Sequence, residues 1–175
     1  MGKGILNKDI MAESEVTIRF AVEEDKKYWI QWIKDPSILH WFPMCNDLEI
    51  EDAARLIFSF VKHQAVLTAE IEGKPVGIAN LNLHPFQRLS HQALITIIVE
   101  EKRRGKGVGT KLMQKLIFLA KEKFHMEMIH LEVYEGNPAK RLYERLGFTP
   151  YGYQEHFTKE EGSYLGKYLM QKNLA

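Results

Sequence analysis

Cysteine is almost missing from this chain: a single one, Cys45, stands among 175 residues. One thiol closes no internal disulfide and builds no multi-cysteine zinc site, so no metal centre is expected. Proline is sparse, six in all, and no Pro/Gly/Ser-rich stretch splits the chain. There is no internal repeat and no low-complexity tract, and the length suits one domain on the usual scale of about 100–200 residues. No apolar run approaches the roughly 18 residues of a membrane span. Met1 to Ala12 mix Gly, Lys, Asn and Asp and lack the apolar stretch of a secretory signal. Neither sign of charge dominates: 24 Lys and Arg face 23 Asp and Glu, a net +1. Such a chain has no global field to hold it on a nucleic-acid backbone or an anionic membrane. Any anion must be caught by a local cluster. These absences predict a cytoplasmic protein with no nucleic-acid or membrane partner, for which a homodimer is the assembly to consider. What is present, 45% hydrophobic and 27% charged residues, is a globular composition and excludes wholesale disorder.

Periodicity lays out the elements. Residues 1–14 read as a flexible extension and 15–175 as the domain. Val16 to Ala21 alternates apolar and polar residues like a half-buried strand. Glu23, Glu24 and Asp25 lead into a helix bearing Tyr28, Trp29, Trp32 and Ile33, and acids suit that positive helix end. Asp35-Pro36 stops it. A second helix is predicted from Asp47 or Leu48 to His63, with Ala53, Leu56, Ile57 and Phe60 facing the core. Ala65–Ile71 and Pro75–Leu83 form a hairpin about Glu72-Gly73-Lys74. Gln92 to Val99 is nearly continuous apolar sequence, as in a strand buried on both faces. A helix then runs from Gly107 to Lys123, with Val108, Leu112, Leu116, Leu119 and Ala120 along one side. Met128–Tyr134 is a strand. Pro138–Leu146 is a short helix capped by Asn137 and ended by Gly147. Two last strands, Tyr151–Phe157 and Tyr164–Asn173, hinge at Glu161-Gly162. The order β-α-α-β-β-β-α-β-α-β-β predicts an α/β fold with a mixed, mostly antiparallel central sheet flanked by helices.

The informative segment is Arg103-Arg104-Gly105-Lys106-Gly107-Val108-Gly109-Thr110, between the most apolar strand and an amphipathic helix. Glycines let a ligand approach the backbone, and a helix start offers unpaired N–H groups with a positive dipole end. That combination suits a pyrophosphate. A P-loop is excluded because Gly109-Thr110-Lys111 has the wrong order, and a Rossmann turn because Thr110 occupies its third glycine position. The pattern that fits is R-x-x-G-x-G, from Arg104 through Gly107 to Gly109.

A second motif follows at the distance of another βα unit: Asn137-Pro138-Ala139-Lys140-Arg141-Leu142-Tyr143-Glu144-Arg145-Leu146-Gly147-Phe148. The two in this order resemble the GNAT family of acetyl-CoA-dependent N-acetyltransferases, and the resemblance runs from Thr17 to the Tyr168-Leu169-Met170 strand. It implies the GNAT fold, with acetyl-CoA as co-substrate. By resemblance, Arg104, Gly105, Lys106, Gly107, Val108 and Gly109 hold the coenzyme pyrophosphate through backbone amides, and Thr110 adds a hydroxyl. Ile97, Ile98 and Val99 carry the pantetheine arm by backbone pairing, a form of strand addition. Asn137 stands where the family contacts pantetheine, although it lies six residues before Tyr143 where many members have seven. The resemblance makes Tyr143 the donor to the leaving thiolate. It leaves the general base open. The strand before the glycine turn has Ala93, Leu94, Ile95 and Thr96 where many relatives place a glutamate. Glu132, in Leu131-Glu132-Val133, resembles the base of some peptide-acetylating members, and His91 is the second candidate.

The acceptor is read from the amino-terminal half. Trp32-Ile33-Lys34-Asp35-Pro36 and the following Trp41-Phe42 resemble the W-x-x-D-P segment of the ribosomal-protein Nα-acetyltransferases and their small-molecule-acetylating cousins. In that branch the segment walls the acceptor groove. The tail from Gln154 to Tyr164 resembles the same branch, with Gln154 where an arginine is common. Three functions follow. The first is an enzyme acetylating a primary amine of a small molecule or a peptide N-terminus. The second is a non-catalytic acetyl-CoA-binding sensor or interaction module. The third, an enzyme acting on aminoacyl-tRNA, is disfavoured by the net charge of +1.

Overall fold

The computed structural model describes residues 15–175, so the extension assigned to residues 1–14 lies outside the described residues. The strands are β1 (Val16–Phe20), β2 (Val66–Ile71), β3 (Lys74–Leu83), β4 (Gln92–Val99), β5 (Met128–Tyr134), β6 (Thr149–Glu160) and β7 (Ser163–Asn173). They form one sheet in the order β1-β2-β3-β4-β5-β7-β6. Every neighbouring pair is antiparallel except β4 with β5. The helices are α1 (Lys26–Ile33), α2 (Pro36–Leu39), α3 (Asp47–Phe58), α4 (Val108–Glu122) and α5 (Ala139–Arg145). The mixed sheet flanked by helices is the predicted architecture.

Two apolar clusters hold the layers together. On one face α4 buries Val108, Leu112, Leu116, Leu119 and Ala120 against the sheet, the predicted stripe, and Tyr143 and Phe148 join them. Gly77 on β3 permits close contact here, since a Cβ there would come within 2.9 Å of Leu112 Cδ1. On the other face α1, α2 and α3 cover Val66, Ile78 and Ile98 with Trp29, Trp32, Ile33 and Phe58. Entry into α1 is fixed by Asp25. Its buried carboxylate accepts from Arg19 (2.7 and 2.9 Å), the Val22 amide (3.0 Å) and Thr68 Oγ1 (2.8 Å).

Two local predictions need correction. Helix α3 stops at Phe58 and a 3-10 turn covers Val61–His63. Its buried stripe is Ile50, Ala54, Ile57 and Phe58, whereas Leu56 is 59% exposed and Ala53 and Phe60 are half-buried. Asn46 accepts the Glu49 amide and starts the helix, and i, i+4 spacing from Ile50 then selects a stripe about one position away from the predicted one. Strand β4 is buried on both faces only in part: Ala93 and Ile95 join the α4 cluster and Ile98 the cluster under α1, α2 and α3. Ala93, Ile95 and Ile98 are buried, but Leu94, Thr96, Ile97 and Val99 are only half-buried. The reason lies in what β4 faces next.

Candidate active site

Strands β4 and β5 are paired only from Gln92–Leu94 to Met128–His130. Beyond Leu94 they part, while β4 stays paired to β3 on its other side as far as Val99. A cavity of about 470 Å³ occupies the gap, lined by Ile95–Val99 on one wall and Leu131–Tyr134 on the other. Backbone donors and acceptors on the β5-facing side of β4 therefore lack a strand partner from Ile95 onward. That edge suits an extended ligand rich in amides.

The glycine turn closes one end. Gly107 has φ +80° and caps α4, and Gly105 has φ +70°. A Cβ at either would meet nothing within 4 Å, so both face open space. The first amides of α4 have no carbonyl within the helix to bond, and its dipole places partial positive charge there. Arg104, Gly105, Gly107, Gly109 and Thr110 line the cavity. Lys106 is exposed and Val108 is buried in the core, so Val108 meets a ligand only through its amide. An open, positively polarised turn beside an unpaired strand edge fits the pyrophosphate and pantetheine of coenzyme A.

Helix α5 supplies the opposite wall with Ala139, Leu142 and Tyr143. Asn137 also lines it, and its Oδ1 accepts the Ala139 amide (2.9 Å), so the predicted cap forms. Tyr143 is 7% exposed, and its ring meets Phe148 edge-on with centroids 6.2 Å apart. Burial pushes its hydroxyl up to about 12, so the phenol keeps its proton at neutral pH.

Of the two candidate bases, only Glu132 reaches the cavity. Its Oε2 accepts from Lys167 Nζ at 2.6 Å. His91 is outside the lining, and its carbonyl instead binds the amides of Glu127 and Met128 where β5 begins. Lys167 was not anticipated. It lies 35 positions from Glu132, and register across β5 and β7 puts it opposite Tyr134. In place of a β4 carboxylate there is a polar ladder. Thr96 donates to Asn80 Oδ1, and Asn82 Nδ2 reaches the Leu94 carbonyl (3.0 Å) and Thr96 Oγ1 (3.4 Å). A strand period of two could have exposed it, because Asn80 and Asn82 share a face.

Trp41 and Phe42 line the cavity. Cys45 does not. It is exposed, and interaction with Glu49 pushes its thiol up, away from the reactive thiolate.

Known proteins agree with this geometry. Residues 26–148 match the model of the Acetyltransferase (GNAT) family. An L-amino acid N-acetyltransferase of Escherichia coli is 26% identical over 164 residues, covering 91% of this chain and 98% of that protein. An N-alpha-acetyltransferase of Sulfurisphaera tokodaii is 32% identical over 125 residues, covering 62% of this chain and 74% of that protein. An acetyltransferase of Salmonella typhimurium, solved with its cofactor acetyl-CoA, superposes with a TM-score of 0.77 at 25% identity, covering 91% and 94% of the two chains. The chain belongs to the GNAT acetyltransferase family, and acetyl-CoA is its acetyl donor.

Proposed function

We propose that this N-acetyltransferase, as one domain over residues 15–175, acetylates the primary amine of a small molecule or a peptide N-terminus directly, with Tyr143 and Glu132 as catalytic residues. One observation carries the reading: both side chains line the cavity that the glycine turn closes. Acetyl-CoA supplies an acetyl group already activated as a thioester. Arg104, Thr110 and the amides from Gly105 to Gly109 bind and orient it at the pyrophosphate end. The exposed edge of β4 from Ile97 to Val99 aligns the arm, and Asn137 adds its side-chain amide, whose Oδ1 already caps α5.

Tyr143 faces the leaving sulfur with a protonated phenol, since burial holds its hydroxyl at about 12. It stabilises the departing thiolate by hydrogen bonding as the C–S bond breaks. Glu132 receives the amine proton as the C–N bond forms, directly or through one water. Trp41 and Phe42 exclude water from the acceptor side. No acetyl-enzyme is required: the one thiol, Cys45, lies away from the cavity and is held protonated beside Glu49. Similarity to an L-amino acid N-acetyltransferase of E. coli and an N-alpha-acetyltransferase of S. tokodaii supports an amine acceptor of this kind.

A panel of primary amines incubated with acetyl-CoA, with free thiol measured continuously, tests this. Amine-dependent thiol release is expected. Release no faster than hydrolysis with every amine would leave a coenzyme-binding module instead.

A further inference from the structure

The lining of the cavity has an unusual charge balance. Glu132 is the one carboxylate in the lining, which contains no His, Lys or Cys among the described residues. The other charged groups of the lining, Arg104 in the glycine turn and Arg145 at the end of α5, are cations. Glu132 is itself matched from behind by Lys167, whose side chain is 7% exposed while that of Glu132 is 41% exposed. Lys167 is held in place from its far side too. Its ammonium lies 3.5 Å from the centroid of the Phe157 ring. A bulge in β6 between Gln154 and Thr158, with His156 at φ +50°, delivers that ring. His130, two residues before Glu132 on the same strand face, is pushed by burial towards its neutral form.

We propose that Lys167 is a specificity-determining residue: by cancelling the only negative charge of the cavity it excludes polyamines and lysine side chains and restricts the acceptor to a low-pKa α-amine. This rests on the acetyltransferase reading above and narrows its acceptor.

Two physical arguments converge. A polyamine brings at least one further ammonium, and buried or half-buried cations need anions. The lining offers only Glu132, already paired, beside two arginines. The second argument concerns the reacting amine. A carboxylate is a weak base towards an ammonium. Turnover then follows the fraction of acceptor already neutral. At pH 7 an α-amine of pKa about 8 is about one-tenth neutral, and an ε-amine of pKa about 10.4 about one part in 2,500. The ratio is about 250.

Two isomers isolate this choice: Nε-acetyl-lysinamide presents only an α-amine and Nα-acetyl-lysinamide only an ε-amine. At pH 7 the first is expected to have a kcat/KM about a hundredfold higher, following the neutral fractions. Calorimetry with spermidine reads the charge without turnover. Wild-type protein is expected to bind it weakly, Lys167→Met about tenfold more tightly, and Lys167→Arg like wild type. Equal use of the two isomers overturns the proposal, as does unchanged spermidine affinity in a folded Lys167→Met protein. If Lys167→Met fails to fold, Lys167→Gln, which removes the charge and keeps a polar side chain, is read in the same spermidine titration and decides. The predicted spermidine pattern without turnover of any amine would instead refute the acetyltransferase reading and leave the charge selection standing.

Discussion

Tyr134 meets Phe157 edge-on, ring centroids 5.6 Å apart at 71°, and its buried hydroxyl has no hydrogen-bond partner. Burial also pushes that hydroxyl up to about 12. A buried, unsatisfied hydroxyl costs about 1–3 kcal/mol of desolvation. Tyr134→Phe keeps the ring contact and removes the cost. We expect it to stabilise the free protein by about 1 kcal/mol, seen as a melting temperature about 2–4 °C higher for a domain of this size. A lower melting temperature would show that the hydroxyl is bonded in solution.

Gly107 holds φ +80° at the start of α4. A β-branched residue there takes on a left-handed backbone cost of about 1–2 kcal/mol, and its side chain projects into the open space beside the turn. Gly107→Val is expected to raise the KM for acetyl-CoA at least about tenfold. It should also abolish coenzyme-dependent stabilisation, about 2.7 kcal/mol at 100 times the Kd. Unchanged coenzyme affinity in the folded variant refutes the assignment of this turn.

For Tyr143, removal of one oxygen separates chemistry from binding. Tyr143→Phe retains the packing on Phe148, so folding and the KM for acetyl-CoA should hold. If the phenol assists the leaving thiolate, kcat falls on the order of 10²–10⁴-fold. A change of only a few-fold would make Tyr143 a packing residue.

Asp25 couples stability to pH. Burial alone would raise its carboxyl, but hydrogen bonds from Arg19, the Val22 amide and Thr68 outweigh that and hold it below the ordinary carboxylate range. A depressed folded value means the contribution is complete above the unfolded pKa and disappears as pH falls through the folded one. Asp25→Asn should therefore be less stable at pH 7, by about 1–3 kcal/mol on the scale of hydrogen bonds to charged groups. The gap to wild type should close below about pH 4. Urea denaturation at pH 7 and pH 3 measures both; a gap independent of pH would refute the linkage.

Local pattern accounts for most of the architecture. The stripe on α4, the Asn137 cap, the hairpin at Gly73 and the glycine turn each depend on residues within one continuous segment. Helix α3 starts at Asp47 as predicted, but its stripe was legible only in part, because two apolar stripes overlap on that helix. Leu56 and Ile57 are adjacent and equally apolar, and only the packing of α1 against α3 buries Ile57 and leaves Leu56 in water. His91 failed for a similar reason: its place beside β4 is local, but the cavity opens at the other end of the strand.

By itself, then, the sequence determined the order of elements, the glycine turn before α4 and Tyr143 on the helix after β5, since backbone sterics and helix dipoles act over a few residues. Tertiary structure decided the rest. The cavity exists because β4 and β5 part after Leu94 while β7 inserts between β5 and β6. That insertion carries Lys167 to Glu132 across 35 positions, and a bulge in β6 turns Phe157 onto both Lys167 and Tyr134. Charge pairing between distant residues depends on which strands become neighbours, and strand neighbours are chosen by the burial of the whole sheet rather than by the pattern of any one strand.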